Sequence, residues 1–441
     1  MDRTNAAPSR TASPEWGEPG SGVFSSDASR SRFARIVCVV VALLGWANVA
    51  ILGHSMLAES PPTAGFDLEL LLTAARRVAA GSSPYDPSVL GHGLQARDLF
   101  YSYPPFVAQF LSPIAAVPTW LVLTVWCVGA GAGAVLIASL LARSSIGRPS
   151  VAVPALSLDA ALVVAAAAPF FFPFTVAMLF GNVDAWFALL LGAVLLGLSR
   201  AGTEPSRLTS AKAGAALAIA SAVKLHPGSL LIWFASRRSK AGARRSAWTT
   251  VAATIAVAAA ILAASLAIAG VGPWQDYLSY LHLGSEADLA SRVNIGPASQ
   301  LALLVGDPGL ARPLAVVVAA LAVVLTIVAA RLVRDPLESI GWAIVASLIV
   351  LPVTWYHYPV ALIPVAIVAW TRSRGSVRGP FVSKALVAAI VVADAALALP
   401  VALWLAVGLL FLAVRRSSGE IDRNEFAPSP DVAIALEAKD R

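Results

Sequence analysis

Residues 65–87 carry two carboxylates near their start and two guanidinium groups in their middle, in the sequence GFDLELLLTAARRVAAGSSPYDP. The acids are Asp67 and Glu69, and the bases are Arg76 and Arg77. A carboxylate at a helix start can accept hydrogen bonds from unpaired backbone N–H groups, which makes a structural cap the favoured local interpretation of Asp67. A guanidinium can bind an anionic head group, or it can face water and lipid phosphates. Both interpretations of the arginines stay open.

Apolar residues of the same stretch recur at helical spacing, which predicts an amphipathic helix. The apolar positions are Leu68, Leu71, Leu72, Ala75, Val78 and Ala79. A helix with one apolar stripe and a charged opposite face is typical of a segment that lies in the membrane interface. We therefore expect this helix to lie on the outer surface of a membrane rather than across it.

Two more ionisable residues, Lys224 and His226, lie in the sequence KLHPG at 224–228, inside the otherwise apolar segment 211–235. Proline removes a backbone donor and disfavours helix at the residue before it, and glycine permits a reversal. Basic residues flank both ends of the segment, so the positive-inside rule places both ends in the cytoplasm. The sequence therefore predicts a helical hairpin with Lys224 and His226 at its tip. An ionisable residue beside such a break marks a functional site by default, although a structural ion pair for Lys224 and a structural hydrogen bond for His226 are alternatives.

Three further polar stretches fall on the same predicted side of the membrane as the hairpin tip. They are FGNVD with Asn182 and Asp184, the loop 274–300, and TWYHYP with His357 and Tyr358. Because these stretches converge on one face, opposite the basic linkers, the sequence predicts a site that faces outward. A structural hydrogen bond is the alternative for His357, and the aromatic residues of these loops are more typical of an interfacial belt than of sugar-stacking platforms.

The composition identifies a polytopic membrane protein. The chain has 441 residues, of which 58% are hydrophobic and 13% are charged, and its mean hydropathy is +0.76. A water-soluble domain of this size does not normally tolerate such a composition. Cys38 and Cys127 both lie in apolar runs and provide no disulfide framework or metal cluster. The net charge of +7 needs no nucleic acid to explain it, because the basic residues sit mostly on short linkers beside membrane spans.

Apolar segments of spanning or near-spanning length alternate with these linkers. Their approximate bounds are 36–53, 120–142, 158–178, 184–198, 247–270, 313–333, 339–355, 359–370, 382–398 and 401–414. Most Lys and Arg residues between Arg32 and Arg416 fall beside cytoplasmic ends, and apart from Lys224 the exceptions are Arg76, Arg77, Arg97, Arg292 and Arg312. We therefore expect an all-α bundle of about 10–12 membrane helices with both termini in the cytoplasm.

Both ends of the chain are polar and rich in serine, proline and alanine. We expect residues 1–32 and 416–441 to be disordered cytoplasmic tails and residues 33–415 to form one transmembrane domain. Because the first polar stretch is long for a signal peptide, the run 36–53 is expected to be retained as a helix. Cleavage after Ala58, in HSMLAES, is the competing interpretation.

These motifs together resemble glycosyltransferase family 87. The resemblance rests on Asp67 followed by Gly81 and SPYDP, then on YSYPPFVAQFLSPIAAVP, LFGNVDAWFALLL, AGAALAIASAVKLHPGSLL and WYHYPVALIPVA, in this order. It covers roughly residues 36–414. Members of that family are integral-membrane transferases of the GT-C class that use polyprenyl-phosphate sugars, chiefly polyprenyl-phosphate mannose. The fold that the resemblance implies is a GT-C bundle with an amphipathic interfacial helix on the outer face.

The resemblance also implies roles for individual residues. The acid that follows the family's first helix falls on Asp67, which would be the general base. The family's Lys-x-Pro hairpin falls on Lys224, although one extra residue before the proline leaves the role of His226 open. The family usually has Gly-Gln-x-Asn where this chain has GNVD at 181–184, and its late aromatic-His-Tyr motif falls on 356–358. The implied candidates for binding the donor phosphate or sugar are Lys224, His226, His357, Arg76, Arg77, Asn182, Asp184 and Tyr358.

The implied reaction is the inverting transfer of mannose from polyprenyl-phosphate mannose to a lipid-linked glycan acceptor. Such an acceptor is a phosphatidylinositol mannoside or lipoglycan at the outer face of a bacterial plasma membrane. A sugar phosphoester already has a good leaving group, so the enzyme needs a base for the acceptor hydroxyl and cations for the departing phosphate. We expect no metal, cofactor or nucleic acid, because the sequence has no dense acidic cluster and no nucleotide-binding motif. Membrane lipids are the remaining expected partners.

Three other functions stay open. The nearest is transfer of arabinofuranose from a polyprenyl-phosphate donor, since related enzymes use that sugar. A transporter or lipid flippase would need charged groups near the bilayer midplane in several spans, whereas here Asp394 and Lys224 are the main exceptions to apolar spans. A purely structural membrane scaffold is disfavoured mainly by the family resemblance.

Overall fold

The computed structural model describes residues 23–88, 101–144, 153–201, 206–237, 241–374, 376–397 and 399–418. All regular structure in these residues is helical, which confirms the all-α class. The α-helices are α1 (Val23–Ala58), α2 (Phe66–Ala79), α3 (Pro105–Leu111), α4 (Thr119–Ser144), α5 (Val153–Ala167), α6 (Phe172–Leu179), α7 (Phe187–Ala201), α8 (Arg207–Val223), α9 (Leu230–Ser236), α10 (Ala241–Ala269), α11 (Gly272–Asp288), α12 (Pro297–Val305), α13 (Ala311–Leu332), α14 (Pro336–Ile349), α15 (Ile363–Ser373), α16 (Gly379–Asp394) and α17 (Val401–Ser418). Short 3-10 turns join several of them.

Four helices of the described chain are each long and apolar enough to cross a membrane. These spans are Ser31–Ala58 in α1, the whole of α4, Gly242–Ala269 in α10, and Pro308–Leu332, which contains α13. Shorter apolar helices, among them α7, α14 and α15, pack between them. The protein is therefore a multi-pass membrane protein.

The segment predicted as one span over 158–178 consists of two helices at an angle. α5 with its 3-10 extension and α6 are bent by 74° relative to each other. Pro169 and Pro173 flank the break, and each removes a backbone donor from the helix. The carboxylate of Asp394 accepts a hydrogen bond from the backbone N–H of Phe172, the first residue of α6. Asp394, a rare charge among the apolar spans, thus stabilises the start of the second helix.

The terminal helices extend further than the sequence predicts. α1 starts at Val23, so residues 23–32 are helical rather than part of a disordered tail. α17 likewise continues to Ser418, past the predicted boundary at 416. A helix that has formed extends easily, because each added residue gains a hydrogen bond without a new nucleation step. The rest of the predicted tails, residues 1–22 and 419–441, lie outside the described residues, as does Arg97.

Two hydrogen bonds fix the relative direction of α8 and α10. The hydroxyl groups of Thr250 and Thr254 in α10 donate to the carbonyl oxygens of Ser210 and Gly214 in α8, at 3.2 and 3.1 Å. Both contacts join residues 40 positions apart in the same order, so the two helices run parallel. The chain must therefore reverse between them. This confirms the predicted hairpin, with α8 and α9 as its arms and Lys224 at its tip.

The predicted amphipathic helix is α2, but its apolar face packs against protein rather than lipid. Leu68, Leu71 and Leu72 are fully buried. They belong to a core cluster that also contains tyrosines of the following loop and the first turns of α4. On the exposed side of α2, Glu69 and Arg76 form an ion pair. Packing therefore holds α2 in one position on the bundle.

We expect Gly214→Ala to destabilise the protein. An added methyl group there would lie 2.5 Å from the carbonyl oxygen of Thr250 and 2.7 Å from the Cβ atom of Ala253. A helix backbone cannot easily move aside, so the expected loss is about 1–3 kcal/mol, measured by thermal unfolding in detergent. Gly408→Ala in α17 is the matched control, because an added methyl group there meets nothing within 4 Å. Equal stability of the two variants would contradict the close packing of α8 and α10.

Candidate active site

The start of α2 docks against the turn that follows α6. The backbone N–H groups of Asp67 and Leu68 donate to the carbonyl oxygen of Phe180, at 2.9 and 3.1 Å. The N-cap residue of α2 is Gly65, and no side chain among the described residues caps this helix. The local interpretation of Asp67 as a cap is therefore wrong, because the Phe180 carbonyl takes that place. The carboxylate is available for other contacts.

Gly181 permits this docking. Its φ of 69° lies in the left-handed region that favours glycine. A Cβ atom at this position would lie 2.5 Å from the Cβ of Leu68, so a larger residue would push the turn away from α2. The close approach brings the next residue, Asn182, to the carboxylate of Asp67. The side-chain N–H of Asn182 donates to Oδ2 of Asp67 at 2.7 Å.

Asn182 is buried and connects Asp67 with other segments. Its Nδ2 lies 3.3 Å from the hydroxyl oxygen of Tyr103, and its Oδ1 accepts the backbone N–H of Asp184 at 2.9 Å. Its backbone carbonyl accepts the indole N–H of Trp126 at 3.2 Å. The family resemblance implies that Asn182 binds the donor, but in the structure the polar atoms of its side chain contact protein groups.

Asp184 and Lys224 form a buried ion pair. The Nζ atom of Lys224 lies 2.8 and 2.9 Å from the two carboxylate oxygens of Asp184. The Asp184 side chain is 0% exposed and the Lys224 side chain is 13% exposed. The Nε2 atom of His357 lies 3.4 Å from Nζ of Lys224 and 3.5 Å from Oδ2 of Asp184. Charges with so little access to water have to be paired, so this contact fixes three distant segments together.

Tyr358 and His226 surround the ion pair with aromatic rings. The Nζ atom of Lys224 lies 4.2 Å from the centre of the Tyr358 ring, within the range of a cation–π interaction. The His226 imidazole stacks on the same ring, with centroids 5.0 Å apart and planes inclined by 19°. His226 is fully buried, and its Nδ1 lies 3.4 Å from the hydroxyl oxygen of Ser347. Tyr358 therefore joins the cluster, whereas His226 supports it from a position without access to solvent.

Arg76 and Arg77 do not join this cluster. Arg76 pairs with Glu69 at 2.6 Å and donates to the carbonyl oxygen of Ala115 at 3.1 Å. Arg77 donates to two carbonyl oxygens of the loop that follows α2. These contacts anchor neighbouring segments to α2. They favour the structural interpretation of both arginines, and donor binding by either stays a prediction.

The stretch 274–300 is not the irregular loop that the sequence predicts, because residues 274–288 belong to α11 and residues 297–300 to α12. Its polar and aromatic residues bind it to the rest of the protein. Tyr277 and Tyr280 are buried in a cluster with Tyr85, whose ring centre lies 4.9 Å from that of Tyr280. The predicted interfacial belt is wrong for these two tyrosines, because they pack inside the protein. The Asn294 amide donates to backbone carbonyl oxygens, one of them in the segment before His357. Asn294 thereby holds the segment that precedes His357 in place.

Tyr103 and Trp126 are the neighbours of the site that sequence reasoning missed. Tyr103 lies in the YSYPP motif, and Trp126 lies in the first half of the apolar helix α4. Each ring carries one polar group, and such a group usually has a hydrogen-bond partner when the ring is buried. This is the one feature of the sequence that could have pointed to them. The partner of Tyr103, the amide of Asn182, is 79 residues away. Spacing along the chain does not reveal such a contact.

The environment of Asp67 suits a proton acceptor. Burial raises the pKa of Asp67 above its ordinary value, although the hydrogen bond from Asn182 and the charge of Lys224 lower it. A carboxylate with a raised pKa is a stronger base than one in water, and it can take a proton from a hydroxyl group. The adjacent ion pair adds an ammonium group that can stabilise negative charge on a reacting group.

A multi-pass helical bundle that gathers a carboxylate, an amine and an imidazole in this way has the features of an integral-membrane enzyme. The sequence model of glycosyltransferase family 87 matches residues 101–354, more than half of the chain, and the chain belongs to this family. It is therefore a glycosyltransferase. The matched range contains the Asp184–Lys224 pair, whereas Asp67 precedes it and His357 follows it. Comparisons with curated proteins and with solved structures found no match.

We expect Asp184→Asn to destabilise the protein, because it leaves the buried ammonium group of Lys224 without its counter-charge. Removing one partner of a buried ion pair costs about 3–5 kcal/mol. The double variant Asp184→Asn/Lys224→Gln removes both charges and should recover much of this loss. Thermal unfolding of the wild type, both single variants and the double variant in one detergent measures the coupling. Additive losses in the double variant would contradict the pairing.

Proposed function

We propose that this glycosyltransferase transfers mannose from polyprenyl-phosphate mannose to a lipid-linked glycan acceptor at the outer face of the plasma membrane. A phosphatidylinositol mannoside or a lipoglycan is the acceptor class. The observation that carries the proposal is the hydrogen-bonded link, through Asn182, between Asp67 and the cluster of Asp184, Lys224 and His357. A base beside a cationic group is what displacement at a sugar phosphoester requires.

Asp67 acts as the general base in this mechanism. It accepts the proton of the acceptor hydroxyl while that oxygen forms a bond to the anomeric carbon of the donor sugar. The bond between the anomeric carbon and the phosphate oxygen breaks, and the polyprenyl phosphate leaves with the electron pair. Because the nucleophile enters opposite the leaving group, a single displacement inverts the anomeric configuration.

Lys224 and His357 are the groups that receive the leaving phosphate. The ammonium group of Lys224 makes two short contacts to Asp184, at 2.8 and 2.9 Å, and one longer contact to His357, at 3.4 Å. A phosphate oxygen that replaces the longer contact would meet the ammonium group without breaking the ion pair. In a site with little water such a charge-assisted contact is stronger than it would be in solution.

The positions of the basic residues support an outward-facing site. α4 begins beside α2, where Thr119 donates to Glu69, and it has Arg143 in its last turn. α15 follows the turn that contains Tyr358, and it has Arg372 in its last turn. The site therefore lies at the helix ends opposite those that carry arginine. By the positive-inside rule the arginine ends face the cytoplasm, where the proposal also places both termini.

The purified protein should transfer radiolabelled mannose from polyprenyl-phosphate mannose to an extracted lipid acceptor. We expect Asp67→Asn to lower the rate at least about 100-fold while expression is unchanged, because a general base contributes about 10²–10⁴-fold. Glu69→Gln is the matched control, since it removes a carboxylate of the same helix that pairs with Arg76 outside the cluster. It should keep most of the activity.

Full activity of Asp67→Asn would remove Asp67 from the mechanism. The same assay with polyprenyl-phosphate arabinofuranose tests the sugar, and a preference for that donor would contradict the assignment of mannose. Movement of a lipid or solute across vesicles without any sugar transfer would favour a transporter instead.

The midpoint of the acid limb of the pH–rate profile should lie above the ordinary pKa of an aspartate. Burial raises the pKa of Asp67, and only the deprotonated carboxylate can accept the proton of the acceptor hydroxyl. The value of kcat/KM therefore falls as the pH drops through the raised pKa, with a midpoint above about 3.9. Initial rates at low acceptor concentration over a pH series measure this midpoint. A midpoint at or below the ordinary aspartate value would be inconsistent with a buried base.

A further inference from the structure

The side-chain amide of Asn182 makes contacts at both of its ends. At one end, Nδ2 donates to Oδ2 of Asp67 at 2.7 Å and lies 3.3 Å from the hydroxyl oxygen of Tyr103. At the other end, Oδ1 accepts the backbone N–H of Asp184 at 2.9 Å. Asn182 is only 3% exposed, so water competes little for these contacts.

Two of these contacts determine which end of the amide faces Asp67. The backbone N–H of Asp184 is a donor, so it has to meet the amide oxygen. The carboxylate of Asp67 is an acceptor when it is ionised, so it has to meet the amide nitrogen. Turning the amide over would set donor against donor and acceptor against acceptor, and both hydrogen bonds would be lost. The amide of Asn182 therefore has one stable orientation.

The backbone of Asn182 is held as well as its side chain. Its N–H donates to the carbonyl oxygen of Ala177 at 2.7 Å, and its carbonyl oxygen accepts the indole N–H of Trp126 at 3.2 Å. Because both the backbone and the side chain of Asn182 are held, its amide restricts the orientation of the Asp67 carboxylate. In the part of the chain that the structure describes, the Asn182 amide is the one side-chain donor to Asp67. The other carboxylate oxygen, Oδ1, is the one left for a substrate hydroxyl.

We propose that Asn182 is a positioning residue that binds Oδ2 of Asp67 and so presents Oδ1 to the acceptor hydroxyl. The proposal rests on the function proposed above, in which Asp67 takes the acceptor proton. It replaces the predicted role of Asn182 in donor binding.

The same turn also fixes the cation relative to the base. The backbone N–H of Asp184 orients the amide of Asn182, while the Asp184 carboxylate holds Lys224. Base and cation are therefore positioned by two residues of one turn, Asn182 and Asp184. The N–H donated by Asn182 stabilises the ionised carboxylate of Asp67, which offsets part of the effect of burial on its pKa.

Two substitutions separate the donor function of the amide from its acceptor function. Asn182→Ser and Asn182→Asp both retain an oxygen that can accept the backbone N–H of Asp184 at the start of the 3-10 turn, and both lose the N–H donated to Asp67. In the pH profile of kcat/KM we expect the acid limb to move to higher pH, by about one unit for Asn182→Ser. Asn182→Asp adds a like charge beside Asp67 and should move it further.

Tyr103→Phe is the matched control for these variants. It removes the other contact of Nδ2 and leaves the hydrogen bond to Asp67 in place, so the acid limb should stay at the wild-type pH whatever happens to the rate. Asn182→Ser adds no charge, and it keeps the test available if Asn182→Asp does not fold.

Infrared titration of the Asp67 carboxyl band gives the midpoint of Asp67 protonation without turnover. The band is assigned by its loss in Asp67→Asn. If the wild-type protein does not transfer sugar from any polyprenyl-phosphate donor, the proposed function fails. The infrared midpoints of Asp67 would still show whether Asn182 controls its carboxylate. A midpoint that stays at the wild-type pH in the Asn182 variants would overturn the positioning role. A loss of rate that is equal at every pH would overturn it too, because it would identify Asn182 as a substrate contact.

Discussion

The ion pair between Asp184 and Lys224 is the contact on which the rest of the site depends, because buried charges without a partner are too costly for an apolar bundle. Lys224 lies at the tip of the hairpin formed by α8 and α9, and Asp184 lies in the turn that leads into α7. His357 comes from a turn 133 residues beyond Lys224. Matching of charge at one point therefore holds together segments that no local motif connects. The site is formed by this pairing and by the proline and glycine that interrupt the helix and so create the hairpin.

The turn at 181–184 extends the same constraint to α2. Packing of its leucines holds α2 against the bundle. Gly181, whose backbone is in the left-handed conformation, lets the turn approach α2 because it has no side chain. Asn182 then bonds Asp67 while Asp184 bonds Lys224. The carboxylate of Asp67 and the ammonium group of Lys224 thus come from different parts of the chain but are bonded by two residues of one turn. The tyrosine cluster around Tyr85 packs the neighbouring segments together beside this polar site.

Local patterns were sufficient to predict the hairpin and α2, since period, helix breakers and flanking charge act within a few residues of one another. What covers the apolar face of α2 could not be predicted, because a leucine stripe looks the same whether lipid or protein lies against it. Arg76 and Arg77 each pair with a carboxylate and also donate to backbone carbonyl oxygens. Every residue has a carbonyl oxygen, so spacing along the chain does not distinguish these partners. The role of Asn182 depends on an amide contact 115 residues away, and long-range contacts of this kind have no signal in one sequence.

In the proposed mechanism, the donor phosphate and the acceptor hydroxyl meet between the Lys224 pair and Asp67. A cryo-electron-microscopy reconstruction with a non-cleavable polyprenyl-phosphonate analogue of the mannose donor would show where both groups bind. We expect the phosphonate to lie beside Nζ of Lys224 and Nε2 of His357, with the anomeric carbon on the side of Asp67. A phosphonate bound away from Lys224, or an anomeric carbon out of reach of a hydroxyl bonded to Asp67, would contradict this mechanism.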